Sequence, residues 1–373
     1  MPYLFKSYLL LLILFSYSFL NGDDAELKKR LPDKSPLIET NAKELDKVSL
    51  ACLNFFKISK DEVAMNVGDS LKKSGITQEN IIDTLEYINR IQNEDRENIS
   101  LNKKQADGSP WEFRMSKYWY LKQNFDFYRI NGNQLSAKEN NIVLPPGKLH
   151  ITKYAIFEIE VSNRYSKKNN TEIYAVPEWV SPTTGLAQYR LRYTKQQIFD
   201  GIYRVEGEAE GKAKVLAYTT KENVESVMLQ GTFVACFEDG TRKIFGIGGT
   251  NEEPFDKSLK QAKQKRYIYF KETDGYYGYG KTKEEKIKVQ PGLTFAGDIK
   301  SFGIGKLMLM YYEEPGTKLA KAKIGILADT GAAFSENSYH LDFLLGTYES
   351  SKLFYKEADK IPHFCEVYIL IKK

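Results

Sequence analysis

Two short apolar runs near the C-terminal end of the chain each carry one aspartate, and these carboxylates constrain how the chain can fold. The first run, Ile324 to Ala328, is followed by Asp329, and the second, Leu341 to Leu345, contains Asp342. Both runs have the length and composition of β-strands, in which a charged group is costly to bury unless it is paired, hydrogen-bonded or protonated. Aspartates placed in such strands suggest carboxyl groups with a shifted pKa, which are common at functional sites.

The same two residues have an interpretation that involves no function. In that interpretation Asp329 caps the turn at Thr330 and Gly331, because Asp is a common turn residue, while Asp342 points to solvent from an edge strand. Spacing along the sequence does not decide between the two.

Composition and charge describe an ordinary folded protein. The 373 residues are 42% apolar and 28% charged, which is enough for a substantial core and for two domains. The net charge of +5 arises from 54 basic and 49 acidic residues that are spread along the chain. Because no compact basic stripe is present, nucleic acid is not expected as a partner. We expect a monomer.

The N-terminal residues have the composition of a secretory signal. Lys6 precedes an apolar run from Tyr8 to Leu20, which is shorter than the ~20 residues that span a membrane. We therefore predict a cleaved signal peptide over residues 1–22 and a charged linker over residues 23–43. Export makes ATP-dependent chemistry unsuitable, so no nucleotide is expected. An uncleaved anchor is the alternative, which leaves association with a membrane open.

Cysteine and histidine are too sparse to indicate a metal centre. Cys52 is the first cysteine and lies far from the predicted cleavage point, so a lipid-bearing N-terminal cysteine is not supported. The three cysteines allow at most one disulfide. The three histidines are isolated and lack metal-ligand spacing, so neither a metal nor another cofactor is expected. His340 precedes Asp342 by two residues and would share its side of a strand, but we expect it at the surface.

Hydrophobic periodicity predicts helices first and strands second, the pattern of an α+β, mainly β fold. Thr77 begins a segment with apolar residues three and four positions apart, which predicts an amphipathic helix, and two more helices are expected within residues 50–71. Residues 95–110 indicate a polar loop. The aromatic-rich segment 111–130 is expected in the core.

Beyond Pro145 the alternation of apolar and polar residues predicts a mostly antiparallel set of strands. A short helix is expected at residues 196–200. The strands are expected at residues 151–161, 172–176, 212–218, 225–236, 243–247, 267–270, 293–296, 306–312, 321–327, 341–346 and 366–371.

Two glycine-rich segments match nucleotide-binding patterns without the required context. Residues 275–282 fit the phosphate-loop pattern, yet such a loop must open into a helix, and the residues after it alternate and then reach Pro291. Residues 246–251 lack the strand, helix and distal acid of a dinucleotide site, so a tight turn is expected there.

A third aspartate, Asp298, also follows a small residue at the end of an apolar run. The three segments resemble, in order, the "AGD", "DTGGAI" and "iDiyfG" patterns of the membrane-bound lytic transglycosylase A family, whose C-terminal 3D module is named for three aspartates. They stand in this sequence as Ala296-Gly-Asp298, Asp329-Thr-Gly-Ala-Ala-Phe334 and Leu341-Asp342-Phe-Leu-Leu-Gly346.

The resemblance extends upstream to about residue 50. The family's "LTGYY" is similar to Ile151-Thr152-Lys153-Tyr154, and its "QGSG" is similar to Gln230-Gly231-Thr232-Phe233. Its "GALG" is similar to residues 275–280 and explains that segment better than a phosphate loop does. The sequence departs from the family at Ala332, which replaces a glycine, and in the residues from Phe334 to Tyr339.

The resemblance implies a double-psi β-barrel domain, an inserted second β domain and a glycan-binding groove in the cleft between them. The helical N-terminal part of the barrel domain would span residues 44–155, the inserted domain residues 156–272, and the 3D part residues 273–373. The implied location is the periplasm or the periplasmic face of the outer membrane.

The resemblance also implies cleavage of the β-1,4 bond from N-acetylmuramic acid to N-acetylglucosamine in peptidoglycan glycan strands, leaving a 1,6-anhydro sugar. Asp342 matches the family's catalytic position and would act as general acid and then as base, which requires a raised pKa. Asp329 and Asp298 would hold its proton and order the loop. The residues implied in substrate binding are Thr152, Gln230, Gly231, Thr232, Thr330 and Gly331.

Two other functions are compatible with the sequence. A peptidoglycan- or polysaccharide-binding protein with a degenerate groove would explain the changed residues after Thr330, although all three aspartates are retained. A wall-loosening protein of the expansin type can carry a lone aspartate on the same fold without net hydrolysis, and fold analogy alone does not exclude it.

Overall fold

The computed structural model of the chain describes residues 26–177, 187–256, 258–331, 334 and 337–373. The predicted signal peptide, residues 1–22, lies outside the described residues. Within those ranges no helix is both long and apolar enough to cross a membrane.

The helices are mostly short, apart from two in the N-terminal part. They are α1 (Leu45–Ile58), α2 (Asp69–Lys73), α3 (Gln78–Ser100), α4 (Tyr118–Asn124), α5 (Gln134–Glu139), α6 (Ala187–Arg192), α7 (Lys195–Phe199), α8 (Lys221–Gln230), α9 (Ile299–Phe302) and α10 (Ser351–Ala358).

The strands dominate the chain after residue 124. They are β1 (Glu26–Lys29), β2 (Leu37–Ile38), β3 (Phe125–Asn131), β4 (Leu149–Val161), β5 (Thr171–Tyr174), β6 (Val215–Thr219), β7 (Thr232–Phe237), β8 (Arg242–Thr250), β9 (Ile268–Thr273), β10 (Thr294–Gly297), β11 (Leu307–Glu313), β12 (Ala320–Asp329), β13 (His340–Tyr348) and β14 (Phe364–Lys372).

Six strands pair in a closed ring in the order β14, β11, β12, β10, β13 and β4, and a short pairing of β4 with β14 closes it. Strands β3 and β1 extend the sheet from β14, while β7, β8 and β9 continue it from β4. Antiparallel pairs predominate, as predicted, but β10 with β12, β12 with β2, β13 with β4, and β4 with β7 are parallel. Strand β13 therefore has hydrogen-bonded neighbours on both sides.

The first hydrophobic core joins helices α1 and α3 to the ring. Helix α1 buries Val48, Cys52 and Phe55, which lie three and four positions apart and so face one side of the helix. Thr77 caps α3 in a capping box with Asn80, which confirms the predicted start of that helix. The two helices thereby support the back of the strands that carry the aspartates.

A second hydrophobic core is formed by strands β5 to β9 with helices α7, α8 and α10. Strand β4 has thirteen residues and contributes to both cores. Its Leu149 and Ile151 pack in the first core, whereas Phe157 and Ile159 pack in the second. This long strand holds the two cores together, and the division of the chain into domains stays a prediction.

Three local expectations from the sequence are wrong. Residues 225–230, expected as strand, belong to helix α8, because Thr220 caps it and its apolar residues face one side. Residues 95–100, expected as loop, continue α3, where the buried Asp95 accepts a hydrogen bond from Arg114. Of residues 246–251, expected as a tight turn, all except Asn251 continue strand β8, which ends at Thr250.

Asn251 ties together three segments of the second core. Its side chain is 3% exposed. The amide nitrogen donates to the carbonyl oxygens of Tyr193 and Lys265, each at 3.0 Å, and Oδ1 accepts the backbone N–H of Tyr267 at 2.8 Å. Backbone groups buried at this position have no access to water. The Asn251 side chain therefore supplies the hydrogen bonds that water would otherwise make to them.

We expect Asn251→Ala to lower the free energy of unfolding by about 2 kcal/mol, because buried backbone groups lose their partners. Urea unfolding followed by tryptophan fluorescence measures the loss. Asn93→Ala is the matched control, since that exposed side chain accepts one hydrogen bond from Arg96. The control should stay within about 0.5 kcal/mol of the wild type, and equal losses in both variants would contradict the assignment.

Candidate active site

Asp329 and Asp342 lie in one row across four strands of the ring. Ala296 of β10 pairs with Asp329 of β12 on one side and with Asp342 of β13 on the other. Asp342 also pairs with Thr152 of β4. Residues paired across neighbouring strands project from the same face, and a register shift at Ala296 brings Asp329 into the row. Because Ala296 has a small side chain, no bulky group of β10 lies between the two carboxyl groups.

The interpretation of Asp342 as a solvent-facing residue of an edge strand is wrong. Strand β13 lies between β10 and β4, and the Asp342 side chain is partly buried. Its neighbours in sequence, Leu341 and Phe343, are fully buried in the first core. Asp342 is therefore held in the interior of the sheet, where a carboxylate is poorly solvated.

Burial raises the pKa of Asp342 to about 7. The hydroxyl of Thr152 opposes this rise by hydrogen bonding to the carboxyl group, and the negative charge of Asp329 adds to it. Oδ1 of Asp342 is buried and has no hydrogen-bond partner within the described residues. A group in these surroundings is a substantial fraction protonated at neutral pH and can donate its proton.

Asp329 is held by two hydrogen bonds at the end of β12. Tyr154 donates its hydroxyl hydrogen to Oδ2 at 2.9 Å, and the backbone N–H of Thr330 donates to Oδ1 at 2.8 Å. Burial raises the pKa of Asp329 to about 6, while the two hydrogen bonds and the nearby Lys286 ammonium oppose the rise. Both oxygens of Asp329 thus have partners, whereas Oδ1 of Asp342 has none among the described residues.

Asp298 organises the turn that follows β10. It caps α9 by accepting the backbone N–H of Lys300 at 2.9 Å, and its Oδ2 accepts the Ser301 hydroxyl at 2.8 Å and the backbone N–H of Asn337 at 3.1 Å. The side chain is buried. These contacts suit the expected role of Asp298 in ordering the loop. They include no hydrogen bond to the Asp342 carboxyl group, which the other expected role, holding its proton, would need.

A cleft of about 950 Å³ lies beside the row of carboxyl groups. Of the residues proposed from the sequence, it is lined by Asp329, Gln230, Gly231, Thr232 and Thr330. The remaining four, Asp342, Asp298, Thr152 and Gly331, are not part of its lining. Asp342 itself therefore does not line the cleft, although Asp329 of the same row does.

Gln230 and Gly231 shape the wall of the cleft where helix α8 ends. Oε1 of Gln230 accepts the backbone N–H of Ala155 at 3.0 Å, which ties the end of α8 to β4. Gly231 has a φ of 78° and ends the helix in the left-handed conformation that glycine adopts at low cost. Thr330, on the opposite wall, donates its hydroxyl hydrogen to the Gly297 carbonyl oxygen at 2.8 Å.

His340 belongs to the site, contrary to the expected surface position. Its Nε2 lies 2.7 Å from the Thr152 hydroxyl oxygen, and its Nδ1 lies 3.3 Å from Nδ2 of Asn337. Since an amide nitrogen can only donate, we assign the Nε2–H tautomer, which donates to Thr152. Thr152 is then free to donate to Asp342. The sequence hint was the two-residue spacing of His340 and Asp342.

Tyr154 and Lys286 are site residues that the sequence reasoning did not single out. Tyr154 lies two positions after Thr152, so strand alternation places both on one face of β4. Lys286 lies in the segment after the glycine-rich residues 275–280. Those residues also line the cleft. A Cβ on Gly278 would lie 2.5 Å from the carbonyl oxygen of Ala328, so the glycine is needed for close packing beside Asp329.

The structure offers the site no metal. Within the described residues, no group of three or more histidine, cysteine, aspartate or glutamate side chains could hold an ion. Cys52, Cys236 and Cys365 are all free thiols. The segment that fitted a phosphate loop continues into turns and not into a helix.

No family model and no curated protein matches the sequence. Among solved structures, a membrane-bound lytic murein transglycosylase from Agrobacterium tumefaciens is 13% identical, with a TM-score of 0.55 over 93% of this chain and 98% of that one. E. coli MltA with bound chitohexaose is 13% identical, with a TM-score of 0.55 over 94% of each chain. MltA from Neisseria gonorrhoeae is 15% identical, with a TM-score of 0.55 over 89% and 88%. The chain therefore has the mixed α and β, mainly β fold of these structures.

We expect Asp342→Asn to stabilise the folded protein at pH 8 by about 2 kcal/mol and to leave its stability nearly unchanged near pH 4. Below about pH 4 the carboxyl group is protonated in both the folded and unfolded states. Between about pH 4 and about pH 7 the unfolded chain gives up this proton while the folded protein keeps it, so the wild type alone loses stability as the pH rises through that window. Urea unfolding at both pH values measures the difference.

The control for this measurement is Asp83→Asn on α3, where the side chain is exposed and its charge stays in water. A variant at Asp342 that is less stable than the wild type at pH 8, or equally shifted at both pH values, would contradict the buried, raised-pKa carboxyl group.

Proposed function

We propose that the protein is a lytic transglycosylase that cleaves peptidoglycan glycan strands, with Asp342 as the acid. One observation carries the proposal. A partly buried carboxyl group with a pKa of about 7 and an unpaired oxygen lies in the same row as a second carboxyl group beside an open cleft. The likeness in fold to solved structures described as lytic murein transglycosylases supports it.

A transglycosylase of this type needs only one acid. An ordinary glycosidase uses two carboxyl groups, one to protonate the leaving oxygen and one as nucleophile or as the base for water. Here the protonated Asp342 gives its proton to the glycosidic oxygen as the bond from C1 to that oxygen breaks. The C6 hydroxyl oxygen of the same sugar then bonds to C1, and its proton passes to the Asp342 carboxylate. The enzyme is returned to its starting state and no water is consumed.

The neighbours of Asp342 suit both its action as an acid, when it gives its proton to the glycosidic oxygen, and its later action as a base, when it takes the C6 proton. Burial and, to a smaller extent, the Asp329 carboxylate raise the pKa of Asp342, which keeps it protonated before the reaction. Thr152 donates to the carboxyl group and so stabilises the carboxylate that forms once the proton has left. Tyr154 and the Thr330 N–H hold Asp329 in the ionised form. Asp298 supports the loop between Asp329 and Asp342 by accepting the backbone N–H of Asn337.

Substrate binding is assigned to the cleft. Gln230, Gly231, Thr232 and Thr330 line it and present polar groups to a sugar. Because Asp329 lines the cleft and Asp342 of the same row does not, a glycan must extend from the cleft past Asp329 to reach the acid. Thr152 and Gly331 do not line the cleft. We assign them an indirect effect on substrate binding, Thr152 through its hydrogen bond to Asp342 and Gly331 through the backbone conformation of the loop.

The finer description of the fold and its setting belongs to the same proposal. We assign the closed ring of six strands as a double-psi β-barrel that starts in residues 44–155 and is completed by residues 273–373. Residues 156–272 would be the inserted β domain that forms the other wall of the cleft. The proposed location is the periplasm or the periplasmic face of the outer membrane.

A protein that binds glycan without cleaving it is the second candidate. Ala332 in place of a glycine and the altered loop from residue 334 favour it, because both follow the cleft-lining Thr330 closely in the sequence. A binder has no need of a buried carboxyl group with a raised pKa, which lowers stability at neutral pH. This loss of stability is accounted for if Asp342 donates its proton in a reaction.

The experiment is mass spectrometry of the products released from purified peptidoglycan sacculi by residues 23–373 and by the Asp342→Asn variant. We expect 1,6-anhydromuramyl products from the wild type and at least a thousandfold fewer from the variant, since its amide cannot give up a proton at neutral pH. Activity should fall as the pH rises above 7, where Asp342 loses its proton before reaction.

Urea unfolding of Asp342→Asn at pH 8 distinguishes loss of products from loss of folding. Asp83→Asn is the control and should release products at the wild-type rate. Absence of anhydro products from the folded wild type would reject the transglycosylase and leave the binding protein. Products that persist in Asp342→Asn but vanish in Asp329→Asn would move the acid role to Asp329.

A further inference from the structure

Three lysines lie together on the lining of the cleft. They are Lys271 on β9 and Lys283 and Lys286 in the segment that follows the glycine-rich residues. All three side chains are exposed. Within the described part of the chain none of them forms an ion pair, and the one hydrogen bond found among them joins Nζ of Lys286 to the Gly278 carbonyl oxygen at 3.3 Å.

Two acidic residues that line the cleft already form ion pairs with lysines that lie outside the cleft lining. Glu272 pairs with Lys243 at 2.9 Å, and Asp274 pairs with Lys288 at 2.7 Å. Neither Lys243 nor Lys288 lines the cleft. The acids therefore leave the charge of the lysine trio uncompensated.

The third acid of the lining, Asp329, does not balance three ammonium groups either. It interacts electrostatically with Lys286, yet its two oxygens already accept hydrogen bonds from Tyr154 and the Thr330 backbone. Lys271 and Lys286 are close enough to repel one another. Like charges held together in a concave surface favour an anion between them.

We propose that Lys271, Lys283 and Lys286 bind carboxylate groups carried by the glycan, and that the cleft prefers an anionic glycan to a neutral one. This inference rests on the proposed function and names the chemical class of its substrate. In a peptidoglycan strand the carboxylates come from the lactyl group of the muramic acid and from the peptide stem. A neutral oligomer of N-acetylglucosamine carries neither.

The proposal also explains why the lysines lie on one side of the acid. The Asp329 and Asp342 carboxyl groups repel an anionic strand, so a substrate that carries carboxylates needs cations beside them. Lysine suits this task better than a rigid donor, because its flexible side chain can follow a substituent whose position varies along the strand.

The test measures binding and not turnover. The protein is the Asp342→Asn variant of residues 23–373, alone and with Lys271→Gln, Lys283→Gln and Lys286→Gln added together. The matched control adds Lys57→Gln, Lys73→Gln and Lys356→Gln, three exposed lysines outside the cleft, which changes the net charge equally. Calorimetry gives Kd for three glycans at two salt concentrations.

The glycans are peptide-bearing strands, strands stripped of peptide that keep the lactyl carboxylate, and the neutral N-acetylglucosamine hexamer. We expect the cleft triple variant to lose about tenfold in affinity for an anionic strand, as three exposed charge pairs together supply. Its affinity for the neutral hexamer should change less than about twofold, and the loss should shrink at high salt.

The pattern of losses identifies the carboxylate. A loss for both anionic strands assigns the lysines to the lactyl group, and a loss for the peptide-bearing strand alone assigns them to the stem. An equal loss for the neutral hexamer, no loss at all, or the same loss in the control triple variant would overturn the proposal. Because turnover is not measured, a failed transglycosylase proposal and a failed lysine proposal give different results.

Discussion

The burial of two carboxyl groups in one row of the sheet is the constraint on which the site depends. Asp329 and Asp342 belong to strands that do not touch each other, and β10 lies between them. Strands are spaced about 4.8 Å apart, so the two backbones are separated by about 10 Å at this row. Only a small residue between them lets the side chains influence one another. Ala296 provides that, and the charge of Asp329 reaches Asp342 across it.

The two carboxyl groups differ because their hydrogen bonds differ. Asp329 accepts a hydrogen bond on each oxygen, whereas Oδ1 of Asp342 has none among the described residues. Donated hydrogen bonds favour the ionised form, so the same burial leaves Asp342 the weaker acid of the pair. Environment therefore separates two chemically identical side chains into a proton donor and a fixed charge.

Much of this arrangement could be predicted from the sequence. Alternation located most of the strands, and the small residue followed by Asp298, together with Asp329 and Asp342, marked the ends of strands that meet in the ring. Helix α8 was missed because its apolar residues run directly into β7, and periodicity separates such neighbours poorly.

The site residues that the sequence did not reveal depend on contacts across the fold. Tyr154 is 175 positions from the Asp329 that it holds, and Thr152 is 188 positions from His340. No local pattern reports such pairs, since they arise only when β4 lies beside β13. The unpaired lysines of the cleft escaped notice for a similar reason. Their significance depends on Glu272 and Asp274 being paired elsewhere.

The most direct test of the account is the titration of the aspartate carboxyl groups by ¹³C NMR in protein labelled at aspartate. We expect one carboxyl signal with a midpoint near pH 7 that is absent from Asp342→Asn, and a second near pH 6 that remains in that variant and is absent from Asp329→Asn. If every aspartate titrates below about pH 5, as an unburied carboxyl group does, neither residue stores a proton at neutral pH and the proposed acid is not present.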